Sequence, residues 1–157
     1  MKKRKFFVLL LIACLFFITL NFVIGSGFAQ LRAELAFNLF RENFEQAAQG
    51  RDVKPFGVQN VTRYEPQEYL AANEQTSFIK EGVEFQTSSW GFASQTSYFG
   101  IVYTAEDLPL GFQCVDLPLI SDGDSWYWHE DQVDGYGDNW QRITKLDDCW
   151  YYYEMHF

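Results

Sequence analysis

Three cysteines and two histidines are little material for a metal centre. A structural zinc site takes four such ligands, and here the five are scattered. The sequence has no Cys-x-x-Cys pair, no glycine-rich phosphate loop and no nucleophile elbow, which removes the common signatures of redox, nucleotide-binding and esterase chemistry. Positive charge is scarce beyond residue 50. From there on six Lys/Arg face eighteen Asp/Glu, a net of −12, so a phosphate backbone is repelled rather than steered in. Nucleic acid is therefore excluded as a partner, and no cofactor is called for. Cations, basic proteins and neutral sugars stay admissible.

What the chain has in abundance is hydrophobic length at one end and aromatic residues at the other. Residues 6–24 are apolar except for Thr19 and Asn21, and follow the basic flank Lys2-Lys3-Arg4-Lys5 (residues 1–5). Nineteen helical residues at about 1.5 Å each match a hydrocarbon core of roughly 30 Å. The four leading cations place the N-terminus in the cytosol and everything after the span outside it. The reading is a signal-anchor in the lipid bilayer. The alternative is secretion after cleavage near Ala29, where Gly27-Phe28-Ala29 supplies small residues at the two required places; the run is longer than the usual apolar region of a removable signal. Leu11-Ile12-Ala13-Cys14 imitates a lipidation motif, but Cys14 opens onto Leu15-Phe16-Phe17-Ile18 rather than a polar linker.

Residues 25–50 form the next unit. From 31 to 48 there is no Gly or Pro, and Ala, Leu, Glu, Gln and Arg dominate, so a juxtamembrane amphipathic helix is expected. Ala33, Phe37, Phe40, Phe44 and Ala47 recur at three- and four-residue steps, an apolar stripe opposite Arg32, Glu42 and Glu45. Phe37, Phe40 and Phe44 are thus candidates for assembly with a protein partner or a second copy. Packing on the chain's own domain and lying on lipid are the other fates of such a face. Gly50 and Pro55 end the helix.

Residues 51–157 read as an acidic, aromatic-rich, mainly antiparallel β domain, a sheet or small sandwich, which makes the whole chain α+β. Strands are expected at 58–63, 83–89, 98–104, 112–120, 125–130, 139–146 and 149–157. One short helix is expected at 65–72, where Pro66 comes early and Asn73 late. Asp122-Gly123 marks a hairpin, and Asp147-Asp148 a second turn. Cys114 and Cys149, the two thiols outside the span, form a candidate disulfide for an extracytoplasmic domain. Cys149 cannot pair with His156 as nucleophile and base, since seven residues along one strand put them some 23 Å apart.

Alternation in the last strand puts Trp150, Tyr152, Glu154 and His156 on one face and Tyr151, Tyr153 and Met155 on the other. Trp126, Trp128 and Glu130 repeat the theme. If both rows share a sheet surface, they form an aromatic platform edged by carboxylates, suited to stacking against the C–H faces of a glycan. Aromatics in alternation also build ordinary β cores, and two carboxylates such as Glu130 and Glu154 are no more than the raw materials of glycoside hydrolysis. The acidic stretch 130–139 holds Asp131, Asp134 and Asp138 between glycines, without the spacing of a calcium loop. The function expected from these residues is that of a membrane-tethered interaction or accessory domain without catalytic activity, with a carbohydrate-binding module as the alternative and a small envelope hydrolase a weaker one.

Overall fold

The computed structural model describes residue 16 and residues 25–70, 76–92, 95–130 and 137–157. It is a mainly antiparallel β structure with two short helices. Helix α1 (Gly25–Leu39) and helix α2 (Arg41–Ala48) meet at Phe40, whose φ of −123° and ψ of 27° break what the sequence presents as one helix. No glycine or proline marks that break. The first strands are β1 (Asn60–Tyr64), β2 (Gln67–Leu70), β3 (Thr76–Ile79), β4 (Gly82–Phe92) and β5 (Gln95–Tyr103). After a 3₁₀ turn at Phe112–Cys114 come β6 (Val115–Asp116), β7 (Ile120–Asp122), β8 (Ser125–His129), β9 (Trp140–Asp147) and β10 (Trp150–His156).

Seven strands make one antiparallel sheet in the order β1-β4-β5-β10-β9-β8-β7, and β2-β3-β6 make a small second one. The last strand is thus central. It pairs with β5 through Tyr152↔Ile101 and with β9 through Tyr152↔Thr144. A strand in that position must satisfy two neighbouring layers. On one face, α1 and α2 lay Ala29, Ala33, Phe37, Phe44 and Ala47 over Val83, Phe85, Phe99, Ile101, Trp150 and Tyr152. The alanines at steps of four bring α1 close to the sheet, and the phenylalanines fill the space beyond it. On the other face, Leu110 and Cys114 cover Val102, Ile143, Tyr151, Tyr153 and Met155. The result is three layers.

Two of the expected elements are corrected. The helix expected at 65–72 is instead strand β2, paired with β3 from Gln67↔Ile79 to Leu70↔Thr76; residues 71 and 72 lie outside the described residues. Proline disfavours helical backbone in the residue before it, and the ladder with β3 supplies partners that a one-turn helix lacks. The strand expected at 112–120 is interrupted. The Oε1 of Gln141 accepts the Phe112 amide at 3.0 Å, and the Oε2 of Glu84 accepts that of Gln113 at 2.7 Å, so side chains take the bonds a ladder would use. Gln113 and Cys114 follow with φ of 59° and 53°. Both expected turns are present: Asp122↔Ser125 closes the β7–β8 hairpin, and Cys149, at φ 67°, turns β9 into β10.

Among the described residues no helix is long and apolar enough to cross a membrane. The run 6–24 lies outside the described residues except for Phe16, which is helical and exposed.

Candidate functional site

The aromatic platform does not form. Cross-strand pairing of Trp126 with Ile143, and of Ile143 with Tyr153, puts Trp126 on the Tyr151/Tyr153 side of the sheet. Trp128 follows on that side through Gln141 and Met155. Trp150, Tyr152 and Glu154 point the opposite way, so the two rows are separated by the sheet itself. Nor are the latter three exposed: their relative exposures are 3%, 0% and 1% under the helices. Trp126 and Trp128 are half-buried against the second core. Glu130, also half-buried, bonds its amide to the Asn139 carbonyl at 3.0 Å and lies against Gly137, whose φ of +109° and lack of a side chain leave it room. Residues 131–136 are outside the described residues, and with them most of the acidic loop.

The buried Glu154 instead organises a polar chain between sheet and helix. Its Oε2 accepts from Arg142 at 3.0 Å and its Oε1 is 2.9 Å from His156 Nε2. The other imidazole nitrogen of His156 is 2.7 Å from Ser97 Oγ. Arg142 also donates to Gln30 of α1 at 3.0 Å, and Gln30 donates to Glu34 at 2.8 Å. Trp140 stacks on His156 with ring centres 4.0 Å apart and joins it to His129. A hydroxyl, an imidazole and a carboxylate in hydrogen-bonded series are the parts of a nucleophile, base and orienting acid. Hydrolysis also demands amide donors facing the developing oxyanion. Ser97 lies within β5, paired to Trp90 on one side and His156 on the other, which commits its backbone to the sheet. The chain's evident work is to hold α1 on the sheet.

The assembly stripe is likewise redistributed. Phe37 and Phe44 are 2% and 0% exposed, in ring contact with Trp150 and with each other, so that face of the helices is spent on the chain's own core. The opposite face of α1 is the one left open. Phe28, Leu31, Leu35 and Leu39 are about half exposed or more, and Phe56 in the following loop is 72% exposed. Together with Phe40, which contacts Phe56 at 5.2 Å between ring centres, they line an apolar groove of about 230 Å³. Only Arg32 and Thr87 bring polar atoms to that lining. The signal for this face is in the sequence, as apolar residues at 28, 31, 35 and 39, but the richer phenylalanine stripe draws attention first.

The expected disulfide is absent: both cysteines are free. Cys114 is buried with its sulfur against Gly82, where a side chain of any size would collide, and burial beside Glu84 pushes its thiol pKa up. The Cys149 sulfur faces the Ala105 carbonyl at 3.9 Å. The Cys149 amide is held at 2.7 Å by Asp107, whose carboxyl also accepts from Lys145 and Tyr151 and is lowered to about 2 by those bonds, Lys145 first. Among the described residues no group of three or more His, Cys, Asp or Glu is placed to hold a metal ion. Comparison with family models, with curated proteins and with solved structures found no match to this chain.

Proposed function

We propose that this chain is a membrane-tethered extracytoplasmic interaction domain without catalytic activity of its own, and that it works through the outward face of α1. The observation that carries this is the exposed row Phe28, Leu31, Leu35 and Leu39 with Phe56 beside it, on a molecule whose central strands β5 and β10 are packed on both faces. Large apolar residues gathered at one exposed place mark contact surfaces rather than ordinary surface. The hydrophobic run that precedes α1 supplies the tether, and the acidic head is carried beyond it. The glycan reading has lost its geometric support, because its stacking residues are divided between two faces and three of its six residues are buried.

The test is the size of the detergent-solubilised full-length chain. The native protein should migrate as a complex larger than one chain, and Leu35→Ser with Leu39→Ser should reduce it while leaving the melting temperature nearly unchanged. A complex of unaltered size in that variant would defeat the reading.

A further inference from the structure

We propose that the cavity between the end of α2 and the start of β1 binds a phosphate monoester group, carried by a lipid headgroup or by a small soluble molecule. Residues 51–157 hold six Lys/Arg among eighteen Asp/Glu. Three of the six, Arg51, Lys54 and Arg63, line this one cavity of about 370 Å³, in which Asp52 is the only acid. The other three are paired: Lys80 lies 3.4 Å from Asp116, Arg142 3.0 Å from Glu154 and Lys145 2.7 Å from Asp107. Among the described residues no carboxylate pairs with Arg51, Lys54 or Arg63. In a head with three acids for every cation, these three are kept together and apart from carboxylates, which leaves a local surplus of positive charge. None of them belongs to the outward face of α1, so the two surfaces can be tested apart.

Two of the three cations are held in place. Arg63 donates to the Ala48 carbonyl at 3.0 Å and to that of Ala47, closing the end of α2, and Lys54 donates to the Gln59 carbonyl at 2.7 Å. A carbonyl orients a cation without cancelling its charge. An ammonium has three N–H donors and a guanidinium five, so both side chains keep donors for a ligand. The helix-end carbonyls, which would repel an anion, are already engaged by Arg63. Gly50, at φ +90°, has no side chain to cover that guanidinium; a Cβ there would stand 3.9 Å from it. Three cations against Asp52 leave a surplus of two charges. That matches the charge of about −1.5 to −2 on a phosphate monoester at neutral pH and exceeds the single charge of a carboxylate or a phosphodiester. The guanidinium fork also fits phosphate oxygens. The net −12 of the head opposes any anion at long range, which salt screens, so the discrimination falls to these short contacts.

Equilibrium dialysis of the detergent-solubilised full-length chain against radiolabelled inorganic phosphate, at an ionic strength held constant with chloride, tests this. One phosphate should bind per chain, with a dissociation constant of about 10 mM or lower. Arg51→Gln and Lys54→Gln should each weaken it by about three-fold or more, the size of one exposed charge pair. Both side chains are exposed, so the melting temperature of either variant should be nearly unchanged. Lys80→Gln removes a cation that already has a partner, and should leave binding as it was. Binding that does not saturate, no loss in the Arg51 and Lys54 variants, an equal loss in Lys80→Gln, or displacement of phosphate by acetate at equal concentration overturns the proposal. Competition by glycerol phosphate and by dioctanoyl phosphatidic acid separates the two sources. Equal displacement of the label supports a soluble ligand, whereas an advantage of about ten-fold for the lipid that Lys54→Gln removes supports a headgroup. Displacement by neither overturns the site.

Discussion

Trp150 is enclosed by Phe37, Phe44, Phe85 and Tyr103, with ring centres between 4.9 and 6.2 Å away, and it makes no part of any surface. Replacing it by Ala should therefore cost about 3–5 kcal/mol in denaturant unfolding, the range for removing a large buried aromatic. A loss below about 1 kcal/mol would mean that α1 and α2 do not seal this face. Glu84 presents the opposite case, a buried acid with no cation beside it among the described residues. Burial raises its pKa, partly offset by hydrogen bonds from Gln113, Tyr153 and Tyr64; Tyr64, Tyr153 and Cys114 are the titratable groups around it. A raised native pKa means that the protonated form is favoured by folding, so the stability from this group is complete below about pH 4 and is lost as pH rises through the native value. Thermal melts of the wild type and of Glu84→Gln across about pH 4 to 8 should show the variant losing less stability toward the alkaline end. Parallel curves would show that folding leaves the Glu84 pKa unshifted. Asp107 and Asp147 act with the reverse sign, since their lowered pKa values support the fold above the ordinary carboxylate range and fail it below. Comparing wild type with the variant cancels them.

At the scale of elements, Arg142 links three elements through one guanidinium: β10 at Glu154, β9 on which it stands, and α1 at Gln30. Glu154 is 1% exposed and Arg142 28%, so removing the cation strands a carboxylate in the interior. Arg142→Met is expected to cost roughly 3 kcal/mol, the low end of the range for a broken buried pair because Arg142 is partly open to water. Adding Glu154→Gln should recover a good part of that loss, and a double-mutant cycle would measure how much. Simple additivity would show that the two residues do not interact. The same elements show what was legible in the sequence. Strands β4, β5, β8, β9 and β10 announce themselves by aromatic and β-branched runs between turn residues, and the Asp122-Gly123 hairpin by its turn. The faces of β10 do not, because alternation tells which residues share a side and not what covers it. Its run of four aromatics from Trp150 to Tyr153, with no polar residue between, is the pattern of a strand buried on both sides. The α1/α2 break and the 3₁₀ turn at Phe112–Cys114 were hidden for another reason. They depend on Phe44 meeting Phe85 and on Gln113 meeting Glu84, partners 41 and 29 residues away along the chain.

For the whole molecule the governing quantity is charge. Residues 51–157 carry a net of −12, and among the described residues the ion pairs that offset their mutual repulsion, apart from the buried Arg142–Glu154 pair, are at the surface: Arg41 with Glu45 and Asp147, Lys80 with Asp116, and Lys145 with Asp107 and Asp148. Exposed pairs of this kind contribute about 0–1 kcal/mol each and are weakened by salt. Self-repulsion among a dozen unbalanced charges is weakened by salt as well, with the opposite effect on stability. The two can be ranked by range. An ion pair at 2.7 to 3.5 Å lies well inside the screening length of ordinary buffers, about 10 Å at 0.1 M salt, whereas the repulsion of a net −12 is summed over the whole head and includes its long-range part. Long-range repulsion is therefore screened first. Raising ionic strength from about 0.01 M to about 0.1 M, which shortens the Debye length from about 30 Å to about 10 Å, should raise the melting temperature of the protein. A fall would mean that the Arg41 and Lys145 clusters outweigh the field of the whole head.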